Sequence, residues 1–163
     1  MTGCGTLHIL VGHVASGKST LARRLAEPPA TVVIAEDDWL STLYGPEMQT
    51  LNDYVTYSAR LRERMTVHVV DLLRAGLSVV LDFGANTLES RAWLHDVLKD
   101  SGCDHVLHYL DVPTETCRAR LHRRNAEGRH PFKVSDAQFD RITAHFVPPK
   151  AEEGFNITVY HSD

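Results

Sequence analysis

Gly12-His13-Val14-Ala15-Ser16-Gly17-Lys18-Ser19 is the stretch that decides the fold. It fits the pattern G-x-x-x-x-G-K-[ST] and lies between an apolar run, Leu7 to Val11, and a helix-like stretch, Thr20 to Glu27. Strand, glycine loop and helix in that order form a phosphate cradle. The glycines let the backbone curl until several N–H groups point at phosphate oxygens, Lys18 reaches the β- and γ-phosphates, and the Ser19 hydroxyl is placed to ligate Mg²⁺. The segment Gly12, His13, Val14, Ala15, Ser16, Gly17, Lys18, Ser19 and Thr20 is therefore expected to hold a nucleoside triphosphate.

Outward from the loop, short β-rich runs alternate with amphipathic stretches, which predicts a parallel sheet with helices on both faces. Strands are expected at Leu7 to Val11, Thr31 to Ala35, Leu77 to Leu81, His105 to Leu110 and Asn156 to Tyr160. Leu61, Met65, His68 and Leu72 mark a helix closed by Gly76, and Asn86 with Glu89 opens another that ends near Gly102. Pro113 and Thr114 start an arginine-rich helix running to about Gly128. Ser135 and Gln138 form a capping-box pattern before Phe139, Ile142 and Phe146.

The chain has 163 residues, the size of one domain, with 43% hydrophobic composition and a net charge of −4. No global positive field gathers nucleic acid or an anionic membrane. Cys4, Cys103 and Cys117 are odd in number and lack C-x-x-C spacing, which predicts reduced thiols and a cytoplasmic protein. No apolar run reaches membrane-spanning length and no export signal is evident. The ten histidines show no zinc-ligand spacing, and no N-K-x-D stretch recognises guanine, so adenine is expected.

Three further clusters carry chemistry. Glu36-Asp37-Asp38-Trp39 follows the second strand, at the sheet end where ligands bind. One carboxylate there can take the proton of an attacking hydroxyl while its neighbour caps the next helix; mechanics alone do not choose between Asp37 and Asp38. Asp82, at the end of the third strand, is placed to hold Mg²⁺ with Ser19 or to orient the acceptor. In Arg118-Ala119-Arg120-Leu121-His122-Arg123-Arg124, Arg120 and Arg124 share a helix face and are expected to neutralise phosphoryl charge from a lid spanning about residues 118–135, which includes Arg129-His130-Pro131.

From Leu7 to about Arg129 these features resemble P-loop kinases of the polynucleotide 5′-kinase, zeta-toxin and chloramphenicol-phosphotransferase type. The resemblance rests on the phosphate loop, Asp37-Asp38-Trp39, Asp82, Asn86-Thr87 with Arg91, and Arg124-Asn125. It implies a single α/β domain over residues 1–163, a three-layer P-loop kinase fold with a parallel five-stranded sheet, and ATP and Mg²⁺ as cofactors. It also favours Asp37 over Asp38 as general base, and implies Asp38, Asp82 and Arg91 on the substrate side. Where polynucleotide kinases carry a phosphate-reading arginine just after the aromatic residue, this chain has Leu40. The segment Tyr44 to Tyr57, with Tyr54 and Tyr57, is expected to shape the acceptor pocket. The expectation is phosphoryl transfer from ATP to a small-molecule hydroxyl. The alternatives are a nucleoside or polynucleotide 5′-hydroxyl kinase and a non-catalytic ATP-binding switch.

Overall fold

The computed structural model describes residues 3–128 and 133–162. Five strands, β1 (Thr6–Gly12), β2 (Thr31–Ala35), β3 (Ser78–Asp82), β4 (Asp104–Asp111) and β5 (Ile157–His161), form one sheet in the order β2-β3-β1-β4-β5. All four pairings are parallel. Six helices accompany them: α1 (Lys18–Leu25), α2 (Glu36–Tyr44), α3 (Leu51–Arg74), α4 (Leu88–Ser101), α5 (Thr114–Glu127) and α6 (Asp136–Ala144).

Alternation along β1 explains the layers, because successive side chains leave a strand on opposite faces. Leu7, Ile9 and Val11 join Ile34, Val79, Leu81 and Leu107 against Leu61, Met65, Val69 and Leu73 of α3 and Leu94 and Val97 of α4. On the other face Leu10 and Val80 meet Ala22 of α1, while Leu110 and Val112 pack with Cys117 and Leu121 of α5 and Phe139 of α6. The expected three-layer α/β architecture is present.

That second face also carries a polar thread. His8 Nδ1 lies 2.9 Å from His108 Nε2, and His108 Nδ1 lies 2.7 Å from the Tyr160 hydroxyl, so three neighbouring strands are joined by side chains. Either orientation of the shared protons leaves both imidazoles neutral. Burial lowers the pKa of both rings, and that of His108, further lowered by His8, falls to about 4.

Several local readings are corrected. The first helix starts at Lys18, inside the phosphate loop. α2 starts at Glu36, directly after β2, with Ala35 at its cap position and no side-chain cap, so the three acids occupy the first turn and Asp38 caps nothing. The segment from Tyr44 to Tyr57 is the end of α2, a 3-10 turn at Gly45–Glu47, and the start of α3, fixed by a Thr50–Asp53 capping box. At α4 the capping pair is Thr87 and Ser90; Asn86 does not take part. Cys4 and Cys103 form a disulfide, Cα atoms 5.5 Å apart, which overturns the expectation of three reduced thiols; only Cys117 is free, and it is buried.

Candidate functional site

β2, β3 and β1 lie side by side, so their carboxyl ends bring Asp37, Asp82 and the loop from Gly12 to Ser19 to one edge of the sheet. They open on a cavity of about 1040 Å³ whose wall includes Val14 to Thr20, Glu36, Asp37, Tyr54, Arg62, Asp82, Asn86, Arg120, Arg124 and Arg141.

The loop needs its glycines for two separate reasons. Gly17 has φ +102°, and a Cβ on Gly12 would stand 2.5 Å from Ser16 Oγ. Ala15 also holds a positive φ of 64°, which a side chain tolerates only where the surroundings enforce it. Lys18 Nζ donates to the carbonyls of Gly12, at 2.6 Å, and His13, at 3.0 Å. Burial lowers the Lys18 pKa, opposed by Asp82 and Asp37. His13 packs against Phe146, ring centroids 4.2 Å apart and planes tilted by 36°, which ties the loop to the segment after α6.

Ser19 Oγ donates to Asp82 Oδ2 at 3.2 Å, so hydroxyl and carboxylate stand together as two hard oxygen donors. Among the described residues no three His, Cys, Asp or Glu side chains gather into a metal cage. A cation here would take most of its ligands from phosphate and water, as Mg²⁺ does. Ser16 Oγ and Arg124 Nε are buried without hydrogen-bond partners among the described residues, and both residues line the cavity. Polyphosphate oxygens would satisfy such donors.

Asp37 sits in an acid-rich corner. Burial, then Glu36 and Asp82, push its carboxyl up to about 6, while Tyr54 and Lys18 pull the other way. Glu36 is buried and accepts from the Tyr54 hydroxyl at 2.8 Å, Ser58 Oγ at 3.0 Å and Arg62 Nε at 3.3 Å. The Tyr54 hydroxyl also reaches Asp37 Oδ1 at 3.4 Å. Glu36, Ser58 and Arg62 were not singled out from the sequence. The readable signal was the spacing of Tyr54, Ser58 and Arg62, one polar stripe at four-residue steps on α3.

Of the arginines on α5, Arg120 and Arg124 line the cavity, and Arg120 donates to the Ser16 carbonyl at 3.2 Å. Arg118 pairs with Asp136, at 3.2 Å, and Asp140, joining α5 to α6, and Arg123 is exposed. Arg129, His130 and Pro131 lie outside the described residues. The structure places three of the substrate-side candidates away from the cavity wall. Arg91 is wholly buried and turned inward, held by Glu153 at 2.6 Å and the Ala85 carbonyl at 2.9 Å, so it has no surface to offer a ligand. Tyr57 stacks on Tyr44 at 4.3 Å and is not part of the cavity wall, and Asp38 is exposed outside it. Tyr54, Asp37 and Asp82 do face the cavity.

Known structures share this fold. A candidate kinase from Chloroflexus aurantiacus superposes with a TM-score of 0.76 at 16% identity, over 99% of this chain and 87% of its own. The Mycobacterium tuberculosis APS kinase CysC, solved with AMPPNP and APS, gives 0.67 at 22% identity over 99% and 90%. Chaetomium thermophilum Kti12, solved with ADP-AlF3, gives 0.71 at 17% identity over 96% and 89%. No protein of curated function matches the sequence. The AAA domain model matches residues 7–149, and the chain belongs to that family, with the P-loop kinase fold.

Proposed function

We propose that this protein transfers the γ-phosphoryl group of ATP to a hydroxyl of a small molecule, with Asp37 as general base. The observation that carries the reading is the Asp37 carboxyl, raised to about 6 and set in the same cavity wall as Lys18, Ser19, Asp82, Arg120 and Arg124. A base poised near neutrality removes a proton without being too weak to accept it. The acceptor oxygen forms a bond to the γ-phosphorus as its proton passes to Asp37, and the bond from that phosphorus to the β,γ-bridging oxygen breaks, releasing ADP. Lys18, Arg120 and Arg124 neutralise the charge that gathers on the transferring group and the leaving oxygen. Mg²⁺, held by Ser19 and Asp82, would supply further charge neutralisation across the phosphates. Arg120 and Arg124 belong to a lid of about residues 118–135, and closure over the cavity keeps water from taking the phosphoryl group.

The small-molecule acceptor is favoured by the wall on the acid side. Met48, Leu51, Tyr54 and Val55 offer an apolar surface with few polar fixtures, Leu40 is buried in the core, and the net charge is −4. The AMPPNP and ADP-AlF3 found in the similar structures support ATP as donor. ATP as donor supports a cytoplasmic location and the Cys4–Cys103 disulfide weighs against it; no described helix is long and apolar enough to cross a membrane.

A screen of hydroxylated metabolites and antibiotics for acceptor-stimulated ADP release tests the reading, with 5′-hydroxyl oligonucleotides run beside them. Turnover of a small acceptor, lost in Asp37→Asn, is expected. Efficient oligonucleotide labelling whose KM rises with salt as for two or more phosphate contacts would overturn it, as would slow ATP loss indifferent to every acceptor and to Asp37→Asn.

A further inference from the structure

Glu36 is a carboxylate buried where a mere brace between α2 and α3 would need no charge. It accepts at both oxygens: Oε1 from the Tyr54 hydroxyl at 2.8 Å, Oε2 from Ser58 Oγ at 3.0 Å and from Arg62 Nε at 3.3 Å. Only 3% of the residue is exposed. Apolar side chains of similar shape hold two helices together at least as well as a buried ion pair. Leu40, one turn further along α2, already does so, wholly buried in the core that Leu61 and Met65 of α3 share. What apolar packing cannot supply is a negative charge beside Asp37.

Tyr54 connects the two acids. Its hydroxyl lies 2.8 Å from Glu36 Oε1 and 3.4 Å from Asp37 Oδ1, with one proton for the two carboxylates. Burial, then Glu36 and Asp37, push that hydroxyl well above its usual pKa, so the proton stays on it. At 2.8 Å Glu36 has a full hydrogen bond, and 3.4 Å leaves Asp37 a weak one. We infer that Glu36 is a positioning residue for the general base: it draws the Tyr54 proton away from Asp37 and sets a fixed negative charge beside it, so that Asp37 takes the acceptor's proton more readily. This rests on the reading of Asp37 as that base.

Other groups act on Asp37 as well. Asp82 at the end of β3 works in the same sense as Glu36, Lys18 at the start of α1 opposes it, and the Asp37 charge is also felt by Arg124 of α5. These all stay in place when Glu36 is changed. In Glu36→Gln the amide oxygen can face Ser58 and Arg62, and the amide N–H groups then donate to the Tyr54 oxygen. The Tyr54 proton is released to Asp37 as the neighbouring charge disappears, and both changes favour the ionised carboxylate. Tyr54→Phe acts in the opposite sense, since it takes a donor from Asp37 and leaves Glu36 in place.

NMR titration of protein isotope-labelled at the aspartate carboxyls, without nucleotide and with a chelator present, reads Asp37 directly, its signal assigned by its loss in Asp37→Asn. Glu36→Gln should lower the Asp37 midpoint by about one pH unit. Tyr54→Phe should raise it, and in that background Glu36→Gln should lower it only about half as much as it does alone. Ser58→Ala trims a Glu36 contact without altering the charge or the Tyr54 proton, and should move the midpoint by less than about 0.3. An unmoved midpoint in Glu36→Gln, an equal fall in Ser58→Ala, a fall in Tyr54→Phe, or the full Glu36→Gln effect kept in the Tyr54→Phe background would overturn the proposal. The titration needs neither ATP nor an acceptor, so an error in the reading of Asp37 as base shows separately, as acceptor-stimulated ADP release undiminished in Asp37→Asn.

Discussion

Asp37→Asn should make this protein more stable and less active, and the two effects have one cause. The carboxyl is raised from 3.8 to about 6 by burial and by Glu36 and Asp82. A raised carboxyl means that the folded protein holds the proton more tightly than the unfolded chain, so stability falls as pH rises between these two values. Above about pH 6 the full penalty is present. About two pKa units correspond to roughly 3 kcal/mol, an upper figure, since the folded protein relaxes around an ionised carboxylate. Asparagine keeps the shape and cannot ionise. Urea denaturation should show Asp37→Asn gaining about 1–3 kcal/mol over wild type at pH 8 and little at pH 3.5. In the same samples, acceptor-stimulated ADP release should fall by about 10²- to 10⁴-fold with ATP affinity nearly unchanged. The wild-type rate should climb with pH through about 6. A variant no more stable than wild type at pH 8, relative to acid, would refute the argument that Asp37 is held at an electrostatic cost.

Lys18→Ala should lower phosphoryl transfer by at least ~100-fold while circular dichroism shows an intact fold, because its partners are loop carbonyls. Asp38→Asn, changing an exposed side chain outside the cavity wall, should leave kcat within about 3-fold, and a loss matching that of Asp37→Asn would reverse the assignment. Glu153→Ala should cost about 3–5 kcal/mol in denaturation by leaving the Arg91 guanidinium buried and unpaired, with the KM for ATP unmoved. Reduction of the Cys4–Cys103 bond, which joins residues 99 apart, should lower stability by about 2–4 kcal/mol, read as a fall in Tm with dithiothreitol that Cys103→Ser reproduces without it.

What could be read in the sequence was what depends on neighbours in the chain. Gly12, Gly17, Lys18 and Ser19 announce a phosphate loop because the loop's hydrogen bonds are made by its own backbone. The strands announce themselves because burial on both faces demands unbroken Val, Ile and Leu. Asp37 and Asp82 follow once parallel strands fix which ends share an edge. Long-range pairing was hidden. Arg91 reads as a ligand-seeking cation until Glu153 comes to meet it, and Asn86 reads as a helix cap until Gly12 is found beside it. Glu36 was masked differently: in a run of three acids nothing local separates the one that turns inward from the one that faces solvent. The disulfide shares the difficulty, because spacing carries no information about two cysteines at the bases of adjacent strands.

The histidine thread through β1, β4 and β5 gives the fold an acid boundary opposite in sense to that of Asp37. His108 titrates at about 4 in the folded protein against 6.5 in the unfolded chain, and His8 is lowered too. Between those values the unfolded chain takes up more protons, so these rings favour unfolding as pH drops, by up to roughly 3 kcal/mol for His108. Asp37 pulls the other way over nearly the same range, becoming less costly as it protonates. The two slopes oppose each other between about pH 4 and 6, so Asp37 offsets part of what His108 takes away there. Substituting Asp37 alone would remove that offset, so the variant's stability should fall more steeply than wild type's as pH drops below about 6.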